Sequence, residues 1–285
     1  MNKYIKDGLF RIDSNQVEKK LEKSLLFGDS NLLKRLLGFS NLILKPEKKE
    51  MLSRLDFNPT ILLYGPPNTG KTTTAFKLFK EIKSEINNAN LYLLSVSNLM
   101  SSEYGSTSKN LVGVFEELQK LSSFECPSIL IIDEIDQICM SRNKDNEHDA
   151  SRRAMSSLML EMDRLHPSTT NGIIVIGITN VPEKIDSAVI RRFSLKIEVD
   201  FKLTFSEFKK YLEELFRLCG KQNPVDSTIE KYFALYENRR ITIPDIKGFF
   251  RKGIVEDIIN EELNLIAFIE MEFKNGYSSI ENTLE

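Results

Sequence analysis

The sequence predicts an α/β fold in which a parallel sheet of five strands with flanking helices is followed by a small all-helical domain. From Thr60 onward, short β-rich apolar runs alternate with longer helical segments, which is the pattern of a parallel sheet with crossover helices. After Asp200 the β-rich runs stop and helical periodicity continues alone. We therefore expect a helical N-terminal extension (1–55), an α/β domain (56–200), a helical domain (201–274) and a polar tail (275–285).

The predicted strands are short β-rich apolar runs, at 60–64, 91–95, 128–133, 172–178 and 194–199. In the stretches 129–132 and 173–176 every residue is apolar, which is typical of strands that are covered on both faces. The strands that contain these stretches are therefore expected in the middle of the sheet.

The segments between the strands have the helical spacing of apolar residues, at 70–84, 107–121, 149–165 and 186–192. In the helical domain we expect helices at 206–219, 226–237, 244–252 and 255–273. Thr204 and Glu207 have the spacing of a capping box, so they predict where the first of these helices begins.

The composition is that of a folded globular protein, because 41% of the 285 residues are hydrophobic and 28% are charged. Lys and Arg (39) nearly balance Asp and Glu (41), and the net charge of −2 does not favour a nucleic-acid partner. No apolar run approaches the roughly 18 residues of a membrane helix. The three cysteines are scattered, which argues against a disulfide framework or a zinc site. We expect a cytoplasmic protein without a membrane segment.

The first functional motif lies between a predicted strand and a predicted helix, fits G-x-x-x-x-G-K-[ST], and reads Gly65-Pro66-Pro67-Asn68-Thr69-Gly70-Lys71-Thr72. In such a loop the backbone N–H groups and the helix N-terminus surround phosphate groups. Lys71 would reach the β and γ phosphates, and the Thr72 hydroxyl would bind Mg²⁺. A Gly/Pro turn with a chance lysine is the alternative, but it does not explain the flanking strand and helix. Asn68 stands where glycine is usual in the most similar phosphate-loop families, and asparagine tolerates a left-handed backbone conformation.

The second motif is an apolar strand that ends in the carboxylates Asp133 and Glu134, at the edge where parallel α/β sheets bind ligands. Asp133 would hold the magnesium, and Glu134 would act as the general base that polarises the attacking water. Two acids at a strand end are often solvated turn residues, but the upstream phosphate loop favours the functional interpretation. The predicted cofactors are ATP and Mg²⁺, with a binding set of Gly65, Pro66, Pro67, Asn68, Thr69, Gly70, Lys71, Thr72, Thr73 and Asp133.

From about residue 59 to 267 the chain resembles the AAA+ ATPases, and within them the AAA clade proper. The resemblance rests on GPPNTGKT, on ILIIDEID and on the run GITNVPEKIDSAVIRRF at 177–193. It implies a P-loop NTPase fold with a helical lid, and a sensor residue at Asn180 that positions the lytic water. It also implies arginine fingers at Arg191 and Arg192 that reach the nucleotide of a neighbouring subunit, and hence a ring, a homo-hexamer. The alternative is that both arginines are ordinary basic residues near a helix end.

Many members of this family thread substrate with an aromatic-hydrophobic-glycine loop after the second strand. The matching stretch here, 99–105, gives Tyr104 and Gly105 as a candidate pore loop. Glu103 stands where the aromatic residue usually lies, so Tyr104 could equally anchor a turn. The chain is also similar to the AAA proteins that remodel HORMA-domain proteins and to those that translocate mitochondrial iron–sulfur subunits.

The resemblance implies Mg²⁺-dependent ATP hydrolysis in a ring, coupled to remodelling, unfolding or translocation of a partner protein, with recruitment through a partner or adaptor. One alternative is a small-molecule phosphotransferase of the phosphate-loop class, although the Asp133-Glu134 pair favours activation of water. The other is a DNA-associated assembly factor switched by nucleotide, which the balanced charge and the lack of a basic tail disfavour.

Overall fold

The computed structural model describes residues 3–6, 8–22, 30–100, 106–140, 149–166, 171–200, 202–239, 241–259 and 264–276. The chain forms two compact units, of which the first comprises Met1–Gly65 and Lys71–Val199. The second comprises Pro66–Gly70 and Asp200–Glu285. In the described part of the chain, no helix is both long and apolar enough to cross a bilayer.

The first unit is built on one sheet with the strand order β1-β2-β4-β5-β6-β3-β7. Its strands are β1 (Lys3–Lys6), β2 (Leu9–Ile12), β3 (Thr60–Tyr64), β4 (Asn90–Leu94), β5 (Ser128–Ile132), β6 (Ile173–Thr179) and β7 (Leu195–Glu198). The strands from β3 to β7 pair in parallel, which confirms the predicted fold class. Every residue of β5 and β6 is buried, as their uninterrupted apolar sequences indicate.

The helices of the first unit are α1 (Ser14–Glu22), α2 (Ser30–Ile43), α3 (Lys49–Arg54), α4 (Lys71–Glu85), α5 (Val96–Met100), α6 (Ser106–Leu121), α7 (Asp136–Cys139), α8 (Asp149–Arg164) and α9 (Ser187–Ile190). Short 3₁₀ turns occupy Pro46–Lys48 and Pro182–Lys184. Phe115 of α6, Leu158 of α8 and Phe193 are fully buried in one apolar cluster with the sheet. These helices therefore cover the sheet and hold its strands in register.

A β-hairpin at the N-terminus extends the sheet and was missed by the sequence prediction, which assigned residues 1–55 to a helical extension. Strand β1 pairs with β2, and β2 pairs antiparallel with β4, where Leu9 lies opposite Leu94. Leu9 is fully buried, so the hairpin contributes to the core of the first unit. The signal in the sequence is Asp7-Gly8 between two apolar stretches, a dipeptide that favours tight hairpin turns.

The second unit contains the helices α10 (Phe205–Leu218), α11 (Asp226–Asn238), α12 (Ile243–Ile259) and α13 (Leu265–Asn275). The predicted capping box is present before α10, since the Thr204 side chain accepts from Glu207 N and the Glu207 side chain accepts from Thr204 N. Aromatic rings form much of this unit's core. The rings of Tyr232 and Phe273 stack with centroids 5.0 Å apart, and those of Phe208 and Tyr236 also lie 5.0 Å apart.

The boundary between the last two helices differs from the prediction, which placed them at 244–252 and 255–273. Helix α12 continues through Gly253 to Ile259, and α13 begins at Leu265. A Cβ atom at Gly253 would lie 2.5 Å from Leu265 Cδ1, so this glycine allows α13 to approach closely and does not end the helix. The side chain of Asn264 caps α13 by accepting from Ile266 N and Ala267 N at 3.1 and 3.2 Å.

We expect Asn264→Ala to lower the free energy of unfolding by about 1 kcal/mol, because two N–H groups of α13 lose their acceptor. Asn264→Asp keeps a capping oxygen and should remain close to wild type. Urea unfolding followed by circular dichroism measures both variants. Equal unfolding midpoints for Asn264→Ala and wild type would contradict the assigned start of α13.

Candidate functional site

The loop between β3 and α4 has the backbone conformation that a phosphate loop needs. Gly65 has φ +137°, and a Cβ atom there would lie 2.8 Å from the Val199 carbonyl oxygen, so no other residue fits. Asn68 has φ +64°, the left-handed conformation expected from its sequence position. The Thr69 hydroxyl donates to Pro66 O at 3.0 Å and closes the turn. The chain then enters α4, whose first N–H groups lie at the positive end of the helix.

Lys71 is the first residue of α4 and is only 4% exposed. Its ammonium donates to Gly65 O at 2.9 Å. Burial lowers the pKa of Lys71 to about 8, and the negative charge of Asp133 opposes this shift. A desolvated cation at the first turn of α4, beside its N–H groups, fits a site for a polyphosphate.

Thr72 and Asp133 meet beside Lys71, although they are far apart in the sequence. The Thr72 hydroxyl donates to Asp133 Oδ2 at 2.8 Å, and Asp133 Oδ1 accepts from Glu134 N at 3.0 Å. A hydroxyl and a carboxylate are hard oxygen ligands, which suit Mg²⁺ when phosphate and water complete its coordination. Within the described ranges, no cluster of three or more His, Cys, Asp or Glu side chains could hold a metal. The Thr72–Asp133 pair supplies two oxygen ligands, so the arrangement fits a metal whose other ligands come from phosphate and water. Thr73, the next residue of α4, is half-buried.

Glu134 lies in the turn after β5, and its carboxylate is exposed. Its backbone has φ +53°, a conformation that costs a residue with a side chain roughly 1 kcal/mol or more. The Gln137 amide donates to Glu134 Oε2, and Gln137 N donates to Glu134 O at 3.0 Å. The carboxylate is thus held at one oxygen while the side chain faces solvent.

Asn180 directly follows β6 and is exposed. Because Ile132 pairs with Gly177 in the parallel register, the ends of β5 and β6 are neighbours. Ile135 N donates to Ile178 O at 3.0 Å, which joins the turn after β5 to the end of β6. The structure therefore places Asn180 and Glu134 on adjacent strand ends, as the sequence interpretation requires.

The two candidate arginine fingers differ in their surroundings. Arg191 is exposed at the end of α9. Arg192 binds Asp163 through both carboxylate oxygens, with Nε–Oδ1 2.9 Å and Nη2–Oδ2 3.0 Å. Its Nη1 also donates to Ala188 O at 2.8 Å. Sequence reasoning treated the arginines as equivalent and did not identify Asp163 as the partner of Arg192, since nothing in the sequence shows which helix faces α9.

The candidate pore-loop residues Tyr104 and Gly105 lie outside the described residues, so their role stays a sequence prediction.

Known proteins are similar to the part of the chain that contains this site. A family profile described as ATPase family associated with various cellular activities (AAA) matches residues 61–201. Spastin of Ixodes scapularis is 33% identical over 194 residues, which are 67% of this chain and 28% of spastin. Vacuolar protein sorting-associated protein 4A of Homo sapiens is 39% identical over 139 residues, 49% of this chain and 30% of that protein. The chain thus spans less than a third of the length of these relatives.

Among solved structures, a chain of the E. coli MS115-1 HORMA:CdnC:Trip13 complex superimposes with a TM-score of 0.75 and covers 95% of both chains. At 17% identity, this similarity shows a shared fold. The family profile covers the phosphate loop, the acidic strand end, Asn180 and both arginines. Residues 61–201 therefore belong to the AAA family of ATPases.

Proposed function

We propose that this protein is a Mg²⁺-dependent ATPase that works as a ring, a homo-hexamer, and couples hydrolysis to remodelling, unfolding or translocating a partner protein. The observation that carries the ATPase part is the meeting of buried Lys71 with the Thr72–Asp133 pair at the end of a phosphate loop. The protein substrate and its recruitment through a partner or adaptor rest on the sequence resemblance. The expected cytoplasmic location rests on the composition, the short apolar runs and the scattered cysteines.

In this proposal the binding groups and the hydrolytic groups are separate. Lys71 and the N–H groups at the start of α4 hold the phosphates, while Thr72 and Asp133 hold the metal. Bound Mg²⁺ would neutralise charge on the β and γ phosphates. Glu134 accepts the proton of the attacking water, and the Asn180 amide orients that water.

A neighbouring subunit would supply the remaining positive charge through an arginine finger. Arg191 is the stronger candidate because its side chain is exposed, whereas Arg192 must release Asp163 before it can cross an interface. A finger that acts between subunits explains why the ring is part of the proposal.

We expect Glu134→Gln to bind ATP with near wild-type affinity and to lower turnover by about 100-fold or more, because the amide cannot accept the water's proton. Calorimetry and phosphate release measure the two effects. Glu85→Gln removes another exposed carboxylate, at the far end of α4, and should behave as wild type. Poor ATP binding by Glu134→Gln would contradict its assignment as the base.

The Glu134→Gln variant should also form a ring of about six subunits with Mg-ATP, since the finger needs a neighbour. Light scattering after size exclusion, with and without Mg-ATP, measures the mass. If Glu134→Gln stays monomeric with Mg-ATP and the wild-type monomer turns over ATP, the phosphotransferase alternative is favoured.

Arg191→Ala should retain ATP binding and lose about 10³-fold in turnover. Lys71→Ala should also be inactive. Mixing these two variants should restore part of the activity, because an intact Arg191 from one subunit then faces an intact Lys71 in the next. Asp163→Asn, which weakens the Arg192 contact, should keep its turnover. No recovery of activity on mixing would argue against a finger that acts between subunits.

A further inference from the structure

A buried hydroxyl links the two turns that carry the proposed hydrolytic residues. Thr179, the last residue of β6, is 1% exposed. Its hydroxyl donates to Asp136 Oδ1 at 2.7 Å and accepts from Val181 N at 3.0 Å. Asp136 lies two residues after Glu134, and Asn180 lies between Thr179 and Val181. The Thr179 hydroxyl oxygen is therefore hydrogen-bonded to both turns.

The bond to Val181 N fixes the local conformation around Asn180. A threonine hydroxyl that accepts from the N–H two residues later forms a side-chain turn, which restricts the residue between them. Asn180 itself is exposed, so the chain on either side of it must define where its amide points. Thr179 provides this restraint from within the buried strand.

The bond to Asp136 fixes that turn relative to Glu134. Backbone contacts already join the two segments, through Ile135 N to Ile178 O at 3.0 Å and through Asp186 N to Cys139 O at 2.9 Å. The Asp136–Thr179 bond lies between these contacts along the chain and involves a carboxylate, which makes it stronger than a neutral hydrogen bond. The hydroxyl donates to Asp136 and accepts from Val181 N, so a side chain without an oxygen atom can form neither hydrogen bond.

We propose that Asp136 and Thr179 form a positioning pair that holds Asn180 in place relative to Glu134, and that ATP hydrolysis depends on this pair while ATP binding does not. The inference rests on the proposed ATPase function. Neither residue belongs to the phosphate loop or to the Thr72–Asp133 pair, so loss of their bond leaves the binding groups intact. Small displacements of a catalytic group lower rates strongly, which is why one such bond can govern turnover.

The test compares Thr179→Val, which keeps the shape and loses the hydroxyl, with Thr179→Ser, which keeps the hydroxyl. We expect Thr179→Val to lower kcat about tenfold. Its KM and its calorimetric Kd for Mg-ATP should stay within about twofold of the wild-type values. Thr179→Ser should restore kcat to within about twofold of wild type. Asp136→Ala breaks the same bond from the other side and should match Thr179→Val, which covers the case that Thr179→Val does not fold.

Ser128→Ala is the control for stability. Ser128 is fully buried at the opposite end of β5, where it accepts from the Ser122 hydroxyl at 2.7 Å. This variant should lower Tm and leave kcat unchanged, which separates a positioning effect from general destabilisation.

Hydrogen exchange gives a readout that does not need turnover. The Val181 amide should exchange faster in Thr179→Val and return to the wild-type rate in Thr179→Ser, because only a hydroxyl accepts from it. The inference would be overturned if the Val181 amide of Thr179→Val exchanged at the wild-type rate. It would also be overturned if wild type is active and the kcat values of Thr179→Val and Asp136→Ala are both within about twofold of its kcat. A wild-type chain without ATPase activity would instead overturn the proposed function, and the exchange result would still decide whether the pair fixes the turn.

Discussion

The candidate site depends on the parallel register of β5, β6 and β3. Parallel strands end at the same edge of a sheet, so the start of α4 after β3, the acids after β5 and Asn180 after β6 lie at one edge, although they are far apart in the sequence. The strands are fixed in register because β5 and β6 are buried along their whole length. A shift of one residue would turn every buried side chain to the opposite face.

Several groups that are unfavourable for stability lie at this edge of the sheet. Lys71 keeps a buried ammonium whose pKa is lowered by desolvation. Glu134 and Asn68 hold left-handed backbone conformations although they carry side chains. Each feature lowers the stability of the free chain, and each lies at a position that we propose to bind phosphate, metal or water. The packed sheet stabilises the unit enough to keep these conformations, which a loop without such support would lose.

The sequence predicted those features that depend on local spacing. The central strands, the long helices α4, α6 and α8, the capping box at Thr204 and the phosphate loop all have local patterns. It did not predict features that depend on tertiary contacts. The prediction ended one helix at 252 and began the next at 255, and nothing in the sequence shows that Leu265 packs against Gly253. The role of Arg192 likewise depends on α8, which brings Asp163 within reach. The N-terminal hairpin was predictable from Asp7-Gly8 and was overlooked because the surrounding residues suggested helices.

The exposure of the site residues explains why binding and hydrolysis would be separate events in this chain. Lys71 is buried and donates to Gly65 O, so the group that would contact phosphate in the proposed site is already in place in the free chain. Glu134, Asn180 and Arg191 are exposed, and exposed side chains are ordered only when something else contacts them. Glu134 is restrained by Gln137, and the turn at Asn180 is restrained by Thr179. No contact of this kind is described for Arg191, whose neighbour Arg192 is tied to Asp163. In the proposed ring, each subunit would bind nucleotide with its own groups and its neighbour would supply the last positive charge, so assembly would be the step that permits hydrolysis.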